Sequence, residues 1–119
     1  MVRWDPVLKA AHLEWQGWAD GPEYRAANDA IIRAITDHHG SQALGDCRNM
    51  HVIKKSDQEW SDREWFPRVI AAGLTRMALV IPTSGLAKMN VEDMVAKVPN
   101  TSLEVGYFAT VAAARQWLK

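Results

Sequence analysis

Apolar and polar residues change their period several times along the chain, and each change marks an element. Residues 8–15 alternate, with Ala11, Leu13 and Trp15 on one side and Ala10, His12 and Glu14 on the other. That is the period-two pattern of a strand with one drier face. Residues 2–4 precede it as a short strand. Asp5-Pro6 between them reads as a turn, because proline fixes φ and an aspartate side chain accepts from nearby backbone N–H groups. From Tyr24 the period lengthens. Tyr24, Ala27, Ile31, Ala34 and Ile35 recur at helical spacing and give a helix one buried stripe. Asp20-Gly21-Pro22-Glu23 carries its start signals: a capping carboxylate, a proline where no donor is needed, and a glutamate three residues after the cap. Gly40 is the expected stop.

Residues 42–47 form a short strand, weakened by Gly45, and residues 48–55 a loop. Ser56-x-x-Glu59 predicts a second helix capped by Ser56 and running to about Ala72, with Gly73 as its stop. Pro67 lies inside that helix and predicts a kink, since its ring clashes with the preceding turn. Residues 75–81 hold five apolar residues in a row, the mark of a central strand covered on both sides. Val91, Met94, Val95 and Val98 mark a third helix between Asn90 and Pro99. Residues 102–108 alternate again, and Thr110 caps a last helix ending at Trp117-Leu118. The order ββαβαβαβα predicts one α/β domain over residues 1–119, built on a mixed, mostly parallel five-stranded sheet. The first two strands are too close for a crossover and pair as an antiparallel hairpin. With the strands in sequential order, right-handed crossovers gather the helices on one face.

Composition narrows the function classes. Lys plus Arg and Asp plus Glu both number 14, so the formal charge is zero, which argues against binding nucleic acid through many phosphate contacts. No apolar run approaches the ~20 residues of a membrane span, and the first residues lack the apolar core of a signal peptide. Cys47 has no second cysteine to pair with, so a reducing cytoplasm is the expected location. Nothing in the sequence implies a cofactor. Six tryptophans beside two Phe and two Tyr are unusual.

One set of residues carries a family resemblance. Trp60-x4-Trp65-Phe66-Pro67-Arg68-x3-Ala72-Gly73-Leu74, then Ala78, then Phe108-x5-Ala114-x2-Trp117-Leu118, with Asp46-x-Arg48 at the end of the third strand, resembles a branch of STAS-like single-domain bacterial proteins. The STAS fold is that of the anti-sigma-factor antagonists and of the cytoplasmic part of sulfate transporters. The resemblance implies the ββαβαβαβα fold over nearly the whole chain. It also implies a regulatory role through protein contact. Antagonists of this fold are switched by phosphorylation of a serine in an Asp-Ser-Ser/Thr-Gly segment at the start of the second helix. The segment here departs from that pattern: it reads Ser56-Asp57, with no glycine following. Ser56 nonetheless lies at the analogous helix start.

Open α/β sheets place ligands at the carboxyl ends of their parallel strands. That edge gathers Asp46, Cys47, Arg48 and His51 from one loop and Thr83, Ser84 and Gly85 from another. Asp46, Arg48, His51, Ser56, Thr83 and Ser84 are therefore the candidate ligand or anion site, helped by Lys54, Lys55 and the free N–H groups of the second helix. The plainer reading is a solvated loop whose Ser56 caps its helix. Cys47 with His51, or Ser56 with His51 and Asp46, are paper arrangements for nucleophilic catalysis, but no nucleophile elbow accompanies them. No residue is assigned as catalytic. The adjacent His38 and His39 diverge on a helix and suit its negative end better than a metal, and no metal-ligand spacing is present.

Trp60 and Trp65, five apart, diverge by about 140° on an α-helix, so both cannot enter one core stripe. The surface of the second helix with Trp60, Trp65 and Arg68 is therefore the candidate interaction surface, and a homodimer through it is expected. The leading functional reading is a non-enzymatic regulatory or protein-interaction module whose partner is a protein the sequence does not name. The second is a carrier of a small apolar or anionic ligand, in a pocket lined by Met89, Met94 and Trp60. The third is a small hydrolase.

Overall fold

The structure, a computed structural model, describes residues 2–15, 21–49, 53–81, 92–93 and 103–119. The strands are β1 (Val2–Asp5), β2 (Ala10–Glu14), β3 (Gln42–Asp46), β4 (Arg76–Val80) and β5 (Glu104–Phe108), and they lie side by side in that order. β1 pairs antiparallel with β2, Trp4 opposite Ala11. The other pairs are parallel and in unbroken register, Ala11 beside Ala43, Met77 and Val105 in turn. The hairpin between β1 and β2 turns where expected, with Asp5 Oδ1 accepting from the N–H groups of Val7 and Leu8. β3 is the middle strand and β4 its inner neighbour, so both are buried on two faces as their apolar runs require.

On one face of the sheet Leu13, Trp15, Ala43 and Met77 pack against Tyr24, Ile31 and Ile35 of α1 (Gly21–His38) and against Trp65, Phe66 and Val69 of the second helix. On the other, Leu8, Ala10, Leu44, Ala78 and Val80 pack against Ala114 and Leu118 of the last helix (Val111–Leu118). The expectation that all helices gather on one face is therefore corrected. The last helix closes no crossover, so the handedness rule does not bind it, and it covers the apolar second face that would otherwise meet water. His12 is likewise buried, on the side of β2 expected to be the wetter one. Glu92 and Asp93 are helical; the rest of the expected third helix, Met89 and Met94 included, lies outside the described residues.

α1 ends one residue before its expected glycine. His39 takes the left-handed conformation (φ 52°), Gly40 N–H reaches Ile35 O and His39 N–H reaches Thr36 O, the paired bonds of a Schellman end. Gly40 serves space instead: a Cβ there would stand 2.5 Å from the Trp4 ring. Gly73 ends the second helix as expected, at φ 121° with the same bond pair to Val69 and Ile70.

The second helix, α2, runs continuously over residues 55–71. It is α-helical at Lys55–Trp60, widens to a π-turn at Ser61–Trp65 and returns to α at Phe66–Ala71. The kink expected at Pro67 is thus replaced by a widened turn just before it, which absorbs the donor the proline lacks. This turn also overturns the divergence of the two tryptophans. The wider winding narrows the angle between residues five apart, and both Trp60 and Trp65 meet α1. Trp65 is buried and its Nε1 donates to Asn28 O at 2.7 Å. Trp60 is half-buried, edge-on to Tyr24 at 6.2 Å and beneath the Arg25 guanidinium. The last helix is α3, capped by Thr110 Oγ1 accepting from Ala113 N–H.

Candidate functional site

The carboxyl edge of the sheet is organised around the end of β3. The backbone of Asp46 and Cys47 is held between β2 and β4, Trp15 N–H bonding to Asp46 O and Cys47 N–H to Val80 O. That leaves the Asp46 side chain to the second face, where it is 3% exposed. Arg48 folds back over it and donates twice, Nε to Oδ1 at 2.9 Å and Nη2 to Oδ2 at 2.7 Å, while its backbone N–H reaches Oδ1 as well. A buried carboxylate met by a fork of donors stays ionised. The Arg48 bonds accordingly hold Asp46 below the usual carboxylate range, against the opposing effect of burial. The pair fixes the guanidinium half in solvent at the strand end. His12 lies on the same face of the sheet; burial, then the charge of Arg3, push its pKa down.

Ser56 is exposed in the first turn of α2, but it is not the cap. The helix begins at Lys55, and its N-cap is Lys54, whose side chain does not cap the helix. The residue that sequence reasoning passed over is Asp57. It is 1% exposed, its Oδ2 accepts from Gly21 N–H at 2.9 Å, and Oδ1 lies 3.5 Å from Arg25 Nε. One carboxylate therefore caps the start of α1 from the first turn of α2. Further along the same seam Tyr24 and Ser61 share a hydroxyl bond at 2.8 Å, and Arg68 pairs with Asp29. The expected interaction surface is thus largely engaged within the chain: Trp65 is inside, Trp60 is half inside and Arg68 is tied to α1. Arg68 and part of Trp60 remain at the surface of this face.

Between α1, α2 and the sheet lies a cavity of about 60 Å³, more than the space one water needs. Leu13, Ile31, Trp65 and Leu79 supply its apolar wall, and Asn28 with the Tyr24–Ser61 pair its polar atoms. Asn28 follows Tyr24 by one helical turn, a spacing that places it on the buried stripe. Only its polarity hid it in the sequence. Cys47 also lines the cavity, and burial pushes its thiol up to about 12. A thiol kept protonated is a poor nucleophile, so the sequence arrangement of Cys47 with a nearby histidine has no thiolate to work with. His51, Thr83 and Ser84 lie outside the described residues. Of the candidate set, Asp46 and Arg48 are brought into direct contact. Among the described residues no group of three or more His, Cys, Asp or Glu is placed to hold a metal, and no helix is long and apolar enough to cross a membrane.

A sequential sheet with one antiparallel edge, crossover helices on one face and a closing helix on the other is the architecture of the STAS class. Comparison with known families agrees: the family described as SpoIIAA-like matches residues 11–119, and the chain belongs to it. No curated protein and no solved structure matches the chain.

Proposed function

We propose that this chain is a non-enzymatic regulatory module that works by contact with a protein partner, and that the contact centres on the exposed first turn of α2. One observation carries the reading. Ser56 lies at a helix start analogous to the one that carries the regulatory serine of the anti-sigma-factor antagonists, and it is exposed in the first turn of α2, whose N-cap is Lys54. A hydroxyl with no structural duty at a helix start can be modified, or read by a partner, without unsettling the fold. The half-exposed Arg48 at the adjacent sheet edge adds a fixed donor to the same end of the molecule. The test compares proteins co-purifying with tagged wild type, Ser56→Ala and Ser56→Asp, all at unchanged melting temperature. A partner retained by Ser56→Ala and lost with Ser56→Asp supports the proposal. An identical set of partners for all three removes it.

The cavity between α1, α2 and the sheet does not favour the carrier reading: its volume of about 60 Å³ suits water and is well short of the roughly 300 Å³ at which pockets begin to take small organic molecules.

A further inference from the structure

The opposite, amino edge of the parallel strands carries a second concave feature unrelated to the site above. It is a groove of about 520 Å³ between the β1–β2 hairpin and the turn from α1 into β3. Pockets of this size take small organic molecules. Its apolar floor is Trp4, Pro6 and Leu8, and its basic groups are Lys9 on one wall and His38 and His39 on the other. No carboxylate is among its described lining residues. Asp5, at the start of the hairpin, is turned to the Val7 and Leu8 N–H groups and to Arg115.

Two observations set this groove apart from an ordinary surface depression. Among the described residues, Lys9 (φ 55°) and His39 (φ 52°) are the non-glycine positions held at positive φ, and both wall this groove. Left-handed backbone is unfavourable for residues with a Cβ, and glycine would adopt it freely at either turn. The chain instead keeps a lysine and a histidine there, facing one cleft, and an observed outlier of this kind points toward function. The second observation is that the floor is fixed. The Trp4 indole lies flat against His38, with centroids 4.4 Å apart and planes 4° apart, and its outer edge rests on Gly40. The aromatic surface and the His38 ring are thus set in place before any ligand arrives, which lowers the ordering cost of binding.

From this geometry we propose that the groove binds a small organic anion, a carboxylate or phosphate ester with a flat apolar body. Its charged head would accept hydrogen bonds from Lys9 Nζ and the imidazole N–H groups, and its body would lie over Trp4 and Pro6. The proposal does not depend on the role suggested for Ser56.

The test is an amide-shift titration of the full ¹⁵N-labelled chain with phenyl phosphate, inorganic phosphate and benzyl alcohol. Phenyl phosphate should move Leu8, Lys9, His39 and Gly40 along a saturating curve. Inorganic phosphate should bind there more weakly, and benzyl alcohol should leave these residues unmoved. Lys9→Asn removes the charge but keeps a residue that tolerates positive φ, and should weaken phenyl phosphate about tenfold, the loss of one charge-assisted hydrogen bond. Shifts that never saturate, shifts centred on Arg48, equal binding of benzyl alcohol, or unchanged affinity in Lys9→Asn would each overturn the proposal. Inorganic phosphate bound as tightly as phenyl phosphate would overturn its apolar half.

Discussion

The contact between Asp46 and Arg48 is two residues long in sequence and joins a buried acid to a half-exposed base. Its pH dependence follows from the direction of the Asp46 shift. A carboxyl held below its unfolded value contributes stability that is present above the ordinary carboxylate range and is lost as pH falls through the depressed pKa. Arg48→Gln should therefore be less stable than wild type at neutral pH, and the gap should close as pH drops below about 4. Denaturant melts across that range check this; a gap constant with pH would show that Arg48 acts by packing alone. The Asp46-x-Arg48 spacing was legible in the sequence because both partners sit in one short segment. Asp57 was not legible as a cap for α1, since its partner Gly21 is 36 residues away and only the fold brings the two together.

At the scale of elements, the strands and some of the helix ends were readable because each depends on local chemistry. Thr110 caps α3, Gly73 closes α2 and Asp5 closes the hairpin as their residue types require. The π-turn was not readable. Nothing local distinguishes Ser61–Trp65 from an α-helical turn; the wider winding lets both Trp60 and Trp65 meet α1 while accommodating Pro67. Its energetic consequence is an asymmetry between the two indoles. Trp65→Ala should cost about 3–5 kcal/mol, as for a fully buried aromatic. Trp60→Ala should cost clearly less, because part of that side chain already faces water. Chemical denaturation of the two variants tests this, and equal losses would place both rings equally deep.

For the molecule as a whole, the period-two and helical patterns were enough for a mixed, mostly parallel five-stranded sheet; its sequential strand order entered there only as a condition, which the fold meets. The side taken by α3 was beyond them, being decided by which face remained bare. β4 lies inside the sheet, so Leu79→Ala should lose about 2–5 kcal/mol by enlarging an interior void. A loss below about 1 kcal/mol, within the range of surface substitutions, would contradict its place. Cys47 reports on the same core from within. It is 4% exposed and its thiol is kept protonated, so a thiol reagent should label it only through opening of the fold. The labelling rate should track global stability in the Leu79→Ala variant, accelerating as that variant loses stability. Fast labelling of the intact wild type would reveal a local path to the cavity.

The sequential strand order bears on how the chain is made. Each strand from β2 onward can dock on the one synthesised just before it, so the sheet can grow outward as the polypeptide leaves the ribosome. The second face cannot be closed in that way. Ala10, Leu44, Ala78 and Val80 wait for Ala114 and Leu118, and the final carbonyls of α3 are received by Gln42 and Arg76, strand residues made long before. A nascent chain with all five strands in place still presents a sticky apolar surface until its last helix emerges. A chain truncated just before Val111 should therefore aggregate or bind chaperones, whereas restoring residues 111–118 should end that vulnerability.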